Sequence, residues 1–137
     1  MLFARQALEP ELASRALPRL NRADIDVIEA IDDSMGVFMA RGDVDGYMRG
    51  NFRFHFMIYE FANAEVLLAL VESIWLQFGP FMHMAYARIG TSTLEDHHEG
   101  AIRAMRRGDD FGLRKAIVAD IAQGMGFIGD GALERFQ

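Results

Sequence analysis

The chain has 137 residues, no cysteine and a formal net charge of −6. This length suffices for one domain with a sizeable core, and the lack of cysteine excludes disulfides and thiolate metal sites. The acidic balance argues against nucleic-acid binding by this chain itself, because contact with phosphates needs a basic face. Neither a signal peptide nor a bilayer-length uncharged run is found, so we expect a cytoplasmic domain that does not contact a membrane.

The first half of the chain predicts three helices. Apolar residues from Leu2 to Leu12 recur at helical spacing, and Pro10 among them predicts either one short helix or two pieces. Asn21 is a suitable N-cap for a second helix, which we expect to run to about Ala40. The Gly42-Asp43 pair ends that helix and begins a third one, rich in aromatic residues, from Val44 to about Ala62.

The second half of the chain predicts three more helices. The fourth runs from Ala64 to about Arg88, with Pro80 as a kink or a split. Ser92 to Glu95 fits a capping box at the start of the fifth helix. After Gly108-Asp109, a last helix covers about Phe111 to Phe127. Strand alternation is lacking and the connections are short, which predicts an all-α antiparallel bundle of about six helices, forming one domain over residues 1–137.

Polar residues interrupt the apolar faces of three predicted helices. Asn51 and His55 are four residues apart on the third helix, so their side chains lie on one face. Asp120 stands inside an apolar stretch of the last helix, and His98 lies on the fifth. Burial of such groups is unfavourable unless each one has a hydrogen-bonding or ionic partner.

Two interpretations of these residues remain open from spacing alone. In the first, Asn51, His55, His98 and Asp120 converge on a divalent ion, because imidazole nitrogens and side-chain oxygens suit zinc and its first-row neighbours. In the second, the groups are structural. His55 then bonds to a backbone carbonyl, and Asp120 pairs with an arginine.

Several short patterns occur in a consistent order along the chain: Arg5-x-x-Leu8-Glu9, then Asn51-x-x-Phe54-His55, then a helix led by His98 that ends at Gly108-Asp109. In this order they resemble the FCD domain, the all-helical effector-binding domain of FadR-type GntR transcription regulators. The resemblance implies an FCD-like bundle that forms a homodimer and senses a small-molecule effector rather than catalysing a reaction.

The resemblance also implies a set of site residues. The metal ligands are expected at Asn51, His55, His98 and Asp120, where Asp120 replaces the histidine that family members usually carry. Zinc is the expected ion, with nickel or manganese as alternatives, and the effector is expected to be a small organic acid. The predicted effector-contacting residues are Met82, His83 and Arg88.

Members of this family contact DNA through a winged helix-turn-helix, and none is present in these 137 residues. DNA binding is therefore expected only through a domain outside this chain. Two alternatives to the sensing function stay open. One is a small metal-dependent enzyme that acts on a similar acid, and the other is a metal-free dimerisation module.

Overall fold

A computed structural model describes the backbone of residues 1–89 and 96–129, and the side chains of these residues except 88–89 and 127–129. The helices are α1 Leu2–Ala16, a short 3₁₀ helix Leu17–Arg19, α2 Arg22–Arg41, α3 Val44–Glu60, α4 Glu65–Ile89, α5 His97–Arg107 and α6 Asp110–Gly129. No strand occurs in these ranges. The predicted all-α bundle of six helices is confirmed.

The helix ends follow from local side-chain chemistry. The Asn21 side chain accepts a hydrogen bond from the Asp24 N–H, and the Asp24 carboxylate accepts one from the Asn21 N–H, so α2 begins with a capping box. Gly42 and Gly108 end α2 and α5 in the left-handed conformation, at φ values of 68° and 65°. The aspartate after Gly42 caps α3, as the sequence predicts.

Neither helix-internal proline splits its helix. α1 continues through Pro10 as one helix, and α4 continues through Pro80, so neither of the two possible splits is observed. A proline removes one backbone hydrogen bond, and packing of the flanking turns against the bundle can maintain the remaining ones.

The start of α5 is described only from Asp96 onwards. The predicted capping box from Ser92 to Glu95 lies outside the described residues. The described helix begins at His97, and its N-cap is Asp96, whose side chain accepts a hydrogen bond from the Glu99 N–H at 2.9 Å. An aspartate can cap a helix as well as a serine does.

The bundle buries its apolar side chains where α1, α3 and α6 meet the other helices. α1 packs against α6, α3 and α4, while α2 packs against α3 and α5. α5 and α6 form an antiparallel pair around the turn at Gly108. Fully buried members of the core include Leu12, Ile28, Phe54, Ile58, Phe78, Leu113 and Ile117. Burial of each large side chain contributes about 1.5–3 kcal/mol, so this core is the main stabilising term.

Helix α4 has two apolar sides. Its inner side, with Val71 and Phe78, packs in the core, while Leu76 on its outer side is 80% exposed. By length and composition alone, the segment Glu65–Ala87 would suffice to cross a membrane. Exposed apolar surface of this kind occurs at contacts with other proteins and with membranes.

Candidate metal centre

Three side chains from three helices converge in the interior. His55 of α3, His98 of α5 and Asp120 of α6 bring one potential ligand atom each within 4.8 Å of the others. The Asp120 Oδ2 lies 2.7 Å from the His55 Nε2 and 3.3 Å from the His98 Nε2. The carboxylate therefore faces both imidazoles through the same oxygen.

The local fold explains this convergence. The turn at Gly108 makes α5 and α6 antiparallel neighbours, so His98 and Asp120 face each other across that pair. Phe54 precedes His55 on α3, and its ring stacks on His98 with centroids 4.0 Å apart and planes 8° apart. Both histidines are almost completely buried. The imidazoles are thus held in place by packing as well as by the shared carboxylate.

A second layer of hydrogen bonds orients His55. The Tyr59 hydroxyl donates its proton to the Glu9 Oε1 at 2.8 Å, and it lies 2.9 Å from the His55 Nδ1. Because that hydroxyl has only one proton, it must accept from the His55 Nδ1–H. A neutral His55 therefore has no proton on Nε2, the ring nitrogen that faces Asp120.

Glu9 is itself held by further donors. The carboxylate is completely buried, and it accepts from the Arg5 Nε at 2.6 Å and from the Trp75 Nε1 at 3.2 Å. The Arg5 guanidinium lies over the rings of Trp75 and Phe78, at 4.5 and 4.3 Å from their centroids. This buried network connects the first helix to the hydrogen bond that orients His55.

His98 has the same arrangement with a different outer partner. Its Nδ1 lies 3.1 Å from the Asp32 Oδ1 on α2, while its Nε2 faces Asp120. An outer carboxylate that accepts from the far ring nitrogen is the usual partner of a metal-bound histidine, because it sets the tautomer and the ring orientation. Both imidazoles thus direct their Nε2 atoms at one point.

The charges of the centre are unequal. Burial lowers the pKa of His55, although Asp120 opposes this shift, so the ring is neutral at neutral pH. Burial also acts to lower the pKa of His98, but Asp120 and Asp32 outweigh it and raise that pKa to about 10. Burial acts to raise the pKa of Asp120, and the two histidines bring it well below the usual range. At neutral pH the centre therefore holds an ionised Asp120 beside a protonated His98 and a neutral His55.

The remaining predicted site residues lie in different places. Asn51 is buried one turn before His55, and its side chain forms no hydrogen bond within the described part of the chain. Met82 is a core residue, and His83 is half-exposed and pairs with Asp45 at 2.7 Å. The side chain of Arg88 lies outside the described residues. The structure thus brings together His55, His98 and Asp120, while Met82 packs in the core and His83 lies partly exposed beside Asp45.

A cavity of about 280 Å³ adjoins the centre. Asp120 and His98 line it on one side, and the apolar side chains of Met35 and Met39 contribute to its wall. Tyr47 lines it as well, and further carboxylates surround it. Small-molecule sites usually measure about 300–1,000 Å³, so this cavity suits a small metabolite.

Sequence reasoning missed three residues of the network. Tyr59 had a usable signal, since it lies four residues after His55 and continues the stripe that begins at Asn51. Glu9 belongs to the Arg5-x-x-Leu8-Glu9 pattern, but the pattern by itself indicated no role for this carboxylate. Asp32 had no signal in the sequence, because only packing of α2 on α5 brings it to His98.

This chain resembles known proteins both in sequence and in fold. The profile of the FCD domain matches residues 1–123. The HTH-type transcriptional regulator McbR of Escherichia coli strain K12 is 25% identical over 122 residues, which cover 87% of this chain and 55% of that protein. The chain thus spans about half the length of this relative.

A solved structure, that of E. coli McbR/YncC, superposes with a TM-score of 0.85 at 22% identity. The superposition covers 90% of this chain and 63% of the other. At this level of identity, the likeness shows a shared fold.

Proposed function

The chain belongs to the FCD domain family, and from this premise we propose that it is the effector-sensing domain of a GntR-type transcription regulator. Membership confirms the resemblance drawn from the short patterns in the sequence. The observation that carries the proposal is the convergence of His55, His98 and Asp120 beside a cavity of small-metabolite size. The similar McbR is a transcriptional regulator by name, which favours sensing over catalysis.

The donor set of the centre fits a divalent ion, whose binding would release the proton that His98 holds at neutral pH. Two Nε2 atoms and one carboxylate oxygen face one another, and outer partners already orient both imidazoles. Zinc is the first choice for such a set, and the oxygen of Asp120 also admits nickel or manganese. Asn51 is the proposed fourth ligand. A bound ion would offer an open coordination position to the effector.

The protein's own residues prepare this site for an ion. With the Nδ1–H of His55 directed at Tyr59, the bare Nε2 faces an ionised carboxylate oxygen at 2.7 Å. Two lone pairs at that distance repel unless a proton or a cation lies between or beside them. An ion accepted by both atoms would remove this repulsion.

Elemental analysis of the purified, dialysed chain tests the centre. We expect about one divalent ion per chain, and we expect EDTA to lower the melting temperature, because ion binding stabilises the folded state. His55→Ala and His98→Asn should each lose the ion, while His97→Ala, next to His98 in the sequence, should retain it.

Two results would contradict the metal centre. One is a protein that is metal-free as purified and does not respond to added Zn²⁺, Ni²⁺ or Mn²⁺. The other is loss of the ion in His97→Ala with retention in His98→Asn. That result would show that His97, and not His98, binds the ion.

The function of the whole regulator extends beyond this chain. McbR is named for a helix-turn-helix, and this chain spans 55% of its length. We place DNA contact in such a domain outside these residues, and we place the regulator in the cytoplasm. A second copy of the chain is the proposed partner of the uncovered outer side of α4, where Val66 and Leu76 are 76% and 80% exposed.

A further inference from the structure

The cavity beside the centre has an acidic lining. We propose that it selects a small ligand that carries an amine and a hydroxyl, in preference to the organic acid that the family resemblance implies. This inference rests on the proposed sensing function, because the ligand in question is the effector of the same site. It concerns the class of effector and leaves the identity of the ion open.

Charge is the first argument. Four carboxylates line the cavity, those of Asp32, Asp33, Asp96 and Asp120. None of its described lining residues is arginine or lysine. Four carboxylates carry twice the charge of a divalent ion, so the lining stays negative when the ion is bound. A ligand carboxylate would add like charge to this lining, whereas an ammonium group would reduce the repulsion.

The second argument is which carboxylate oxygens already have partners. Asp32 uses Oδ1 for His98, and Asp96 uses Oδ1 for the N–H of Glu99. Asp33 is exposed and forms no hydrogen bond or ion pair within the described part of the chain. Asp33 is therefore available to accept from an ammonium group, which has three donors and no acceptor.

Tyr47 provides an independent third argument. Its side chain is only 6% exposed and lines the cavity, and its ring packs edge-on against Tyr86. Its hydroxyl makes no hydrogen bond to any residue that the structure describes. A tyrosine hydroxyl keeps its proton at neutral pH and can therefore donate a hydrogen bond. No buried side-chain nitrogen or oxygen of the described residues lacks a hydrogen-bond partner, so this unpaired hydroxyl is accessible from the cavity, where an acceptor atom of a ligand can meet it.

Together these features define a ligand with two ends. An oxygen at one end meets the Tyr47 hydroxyl and the ion, and an ammonium group at the other meets Asp33. The apolar walls of Met35 and Met39 suit a short carbon chain between them. The volume of about 280 Å³ restricts the whole ligand to a small molecule.

Matched pairs of probes test this inference on the zinc-loaded chain. The first pair is 2-aminoethanol and glycolate, and the second is 3-amino-1-propanol and 3-hydroxypropionate. Within each pair the hydroxyl end is the same and only the charged group differs. We expect calorimetry to show at least tenfold tighter binding of the amine in one pair or both. Equal or tighter binding of the carboxylates overturns the inference, as does a lack of binding by all four probes.

Three variants separate recognition in the cavity from general attraction to an acidic protein. Asp33→Asn and Tyr47→Phe should each weaken amine binding at least threefold. Glu72→Gln removes one negative charge from an exposed position on α4 and should leave binding unchanged. Equal weakening by Asp33→Asn and Glu72→Gln would assign the effect to net charge and overturn the inference.

Ion content, measured on the same samples, distinguishes the two proposals. A chain that takes up no ion contradicts the metal centre of the proposed function. A chain that holds its ion and prefers the carboxylates leaves that centre in place and overturns only the amine inference.

Discussion

His55 is the residue on which the centre depends most. Its two ring nitrogens have different partners: the Nδ1–H donates a hydrogen bond to the Tyr59 hydroxyl, while the Nε2 faces Asp120. Which nitrogen carries the proton is set by Glu9, since this carboxylate accepts the only proton of the Tyr59 hydroxyl. A carboxylate on the first helix thus controls the tautomer of a histidine on the third.

Removal of the Tyr59 hydroxyl should weaken ion binding while the three ligands stay in place. For Tyr59→Phe we expect a loss of about 10- to 100-fold in zinc affinity, the usual effect of deleting an outer partner of a metal-bound histidine. Competition with a chromophoric chelator measures it. Tyr47→Phe, which deletes a hydroxyl that does not contact His55, is the matched control. Equal zinc affinity in the two variants would contradict the orienting role of Tyr59.

Arg5 and Glu9 form a buried ion pair, which differs in kind from the exposed pair on the same helix. Arg5 and Glu9 are 2% and 0% exposed, whereas Arg15 and Glu11 are 53% and 39% exposed. Removal of one partner of a buried pair leaves an uncompensated charge in the interior. Exposed pairs contribute little because water and salt screen them.

Arg5→Ala should therefore lower the free energy of unfolding by about 3–5 kcal/mol. Arg15→Ala, on the same helix and also in an i,i+4 pair, should lower it by less than about 1 kcal/mol. Urea denaturation followed by circular dichroism measures both values. Similar losses in the two variants would show that Glu9 finds compensation elsewhere.

At the scale of the helix, the turn between α5 and α6 determines the geometry of the site. Gly108 adopts a φ of 65°, a left-handed conformation that is unfavourable for residues with a Cβ atom. The turn is followed by Asp109, whose Oδ1 accepts a hydrogen bond from the Gly112 N–H at 2.9 Å and so begins α6. The register of this turn decides whether His98 and Asp120 meet.

Gly108→Ala should destabilise the chain by about 1–2 kcal/mol, because alanine must adopt the left-handed conformation there. Gly100→Ala, in the interior of α5, should be neutral or stabilising by up to about 1 kcal/mol. A Cβ atom at Gly100 would lie 3.7 Å from the Cβ of Ala116, an ordinary contact. Thermal unfolding of both variants measures the difference. A stable Gly108→Ala protein would show that the turn can adopt another conformation.

At the scale of the whole molecule, the bundle leaves one helix half-covered. The outer side of α4 exposes Val66, Leu70, Leu76 and Met84, and residues 73–87 contain no Asp, Glu, Lys or Arg. Exposed apolar surface of this extent usually marks an interface. In the expected homodimer, α4 of a second copy would cover this surface, since a twofold interface pairs one surface with the same surface of the partner.

Leu76→Arg should convert a dimer to a monomer, because it replaces the most exposed apolar side chain of α4 by a charged one. Phe111→Arg is the matched control, since Phe111 is similarly exposed, at 77% against 80%, but lies on α6. Sedimentation equilibrium measures the association of both variants and of the parent chain. Dimers that persist in Leu76→Arg, or a parent chain that is monomeric, would contradict this interface.

Much of the fold could be predicted from the sequence alone, because its signals are local. Helical periodicity, the Gly42 and Gly108 ends and the Asn21 and Asp43 caps each depend on residues within one or two turns. The predicted cap of α5 lies outside the described residues, and Asp96 caps the helix that the structure describes. Patterns of residue type in a fixed order also sufficed to identify the family.

The site could be predicted only in part. The stripe of Asn51 and His55 is a local pattern, yet the meeting of His55 with Asp120 spans 65 positions and depends on how α3 packs near α6. Asp32 reaches His98 across 66 positions. The acidic lining of the cavity and the orienting role of Glu9 likewise exist only after packing. Local sequence sets which residues share a helix face, and tertiary packing decides which faces meet.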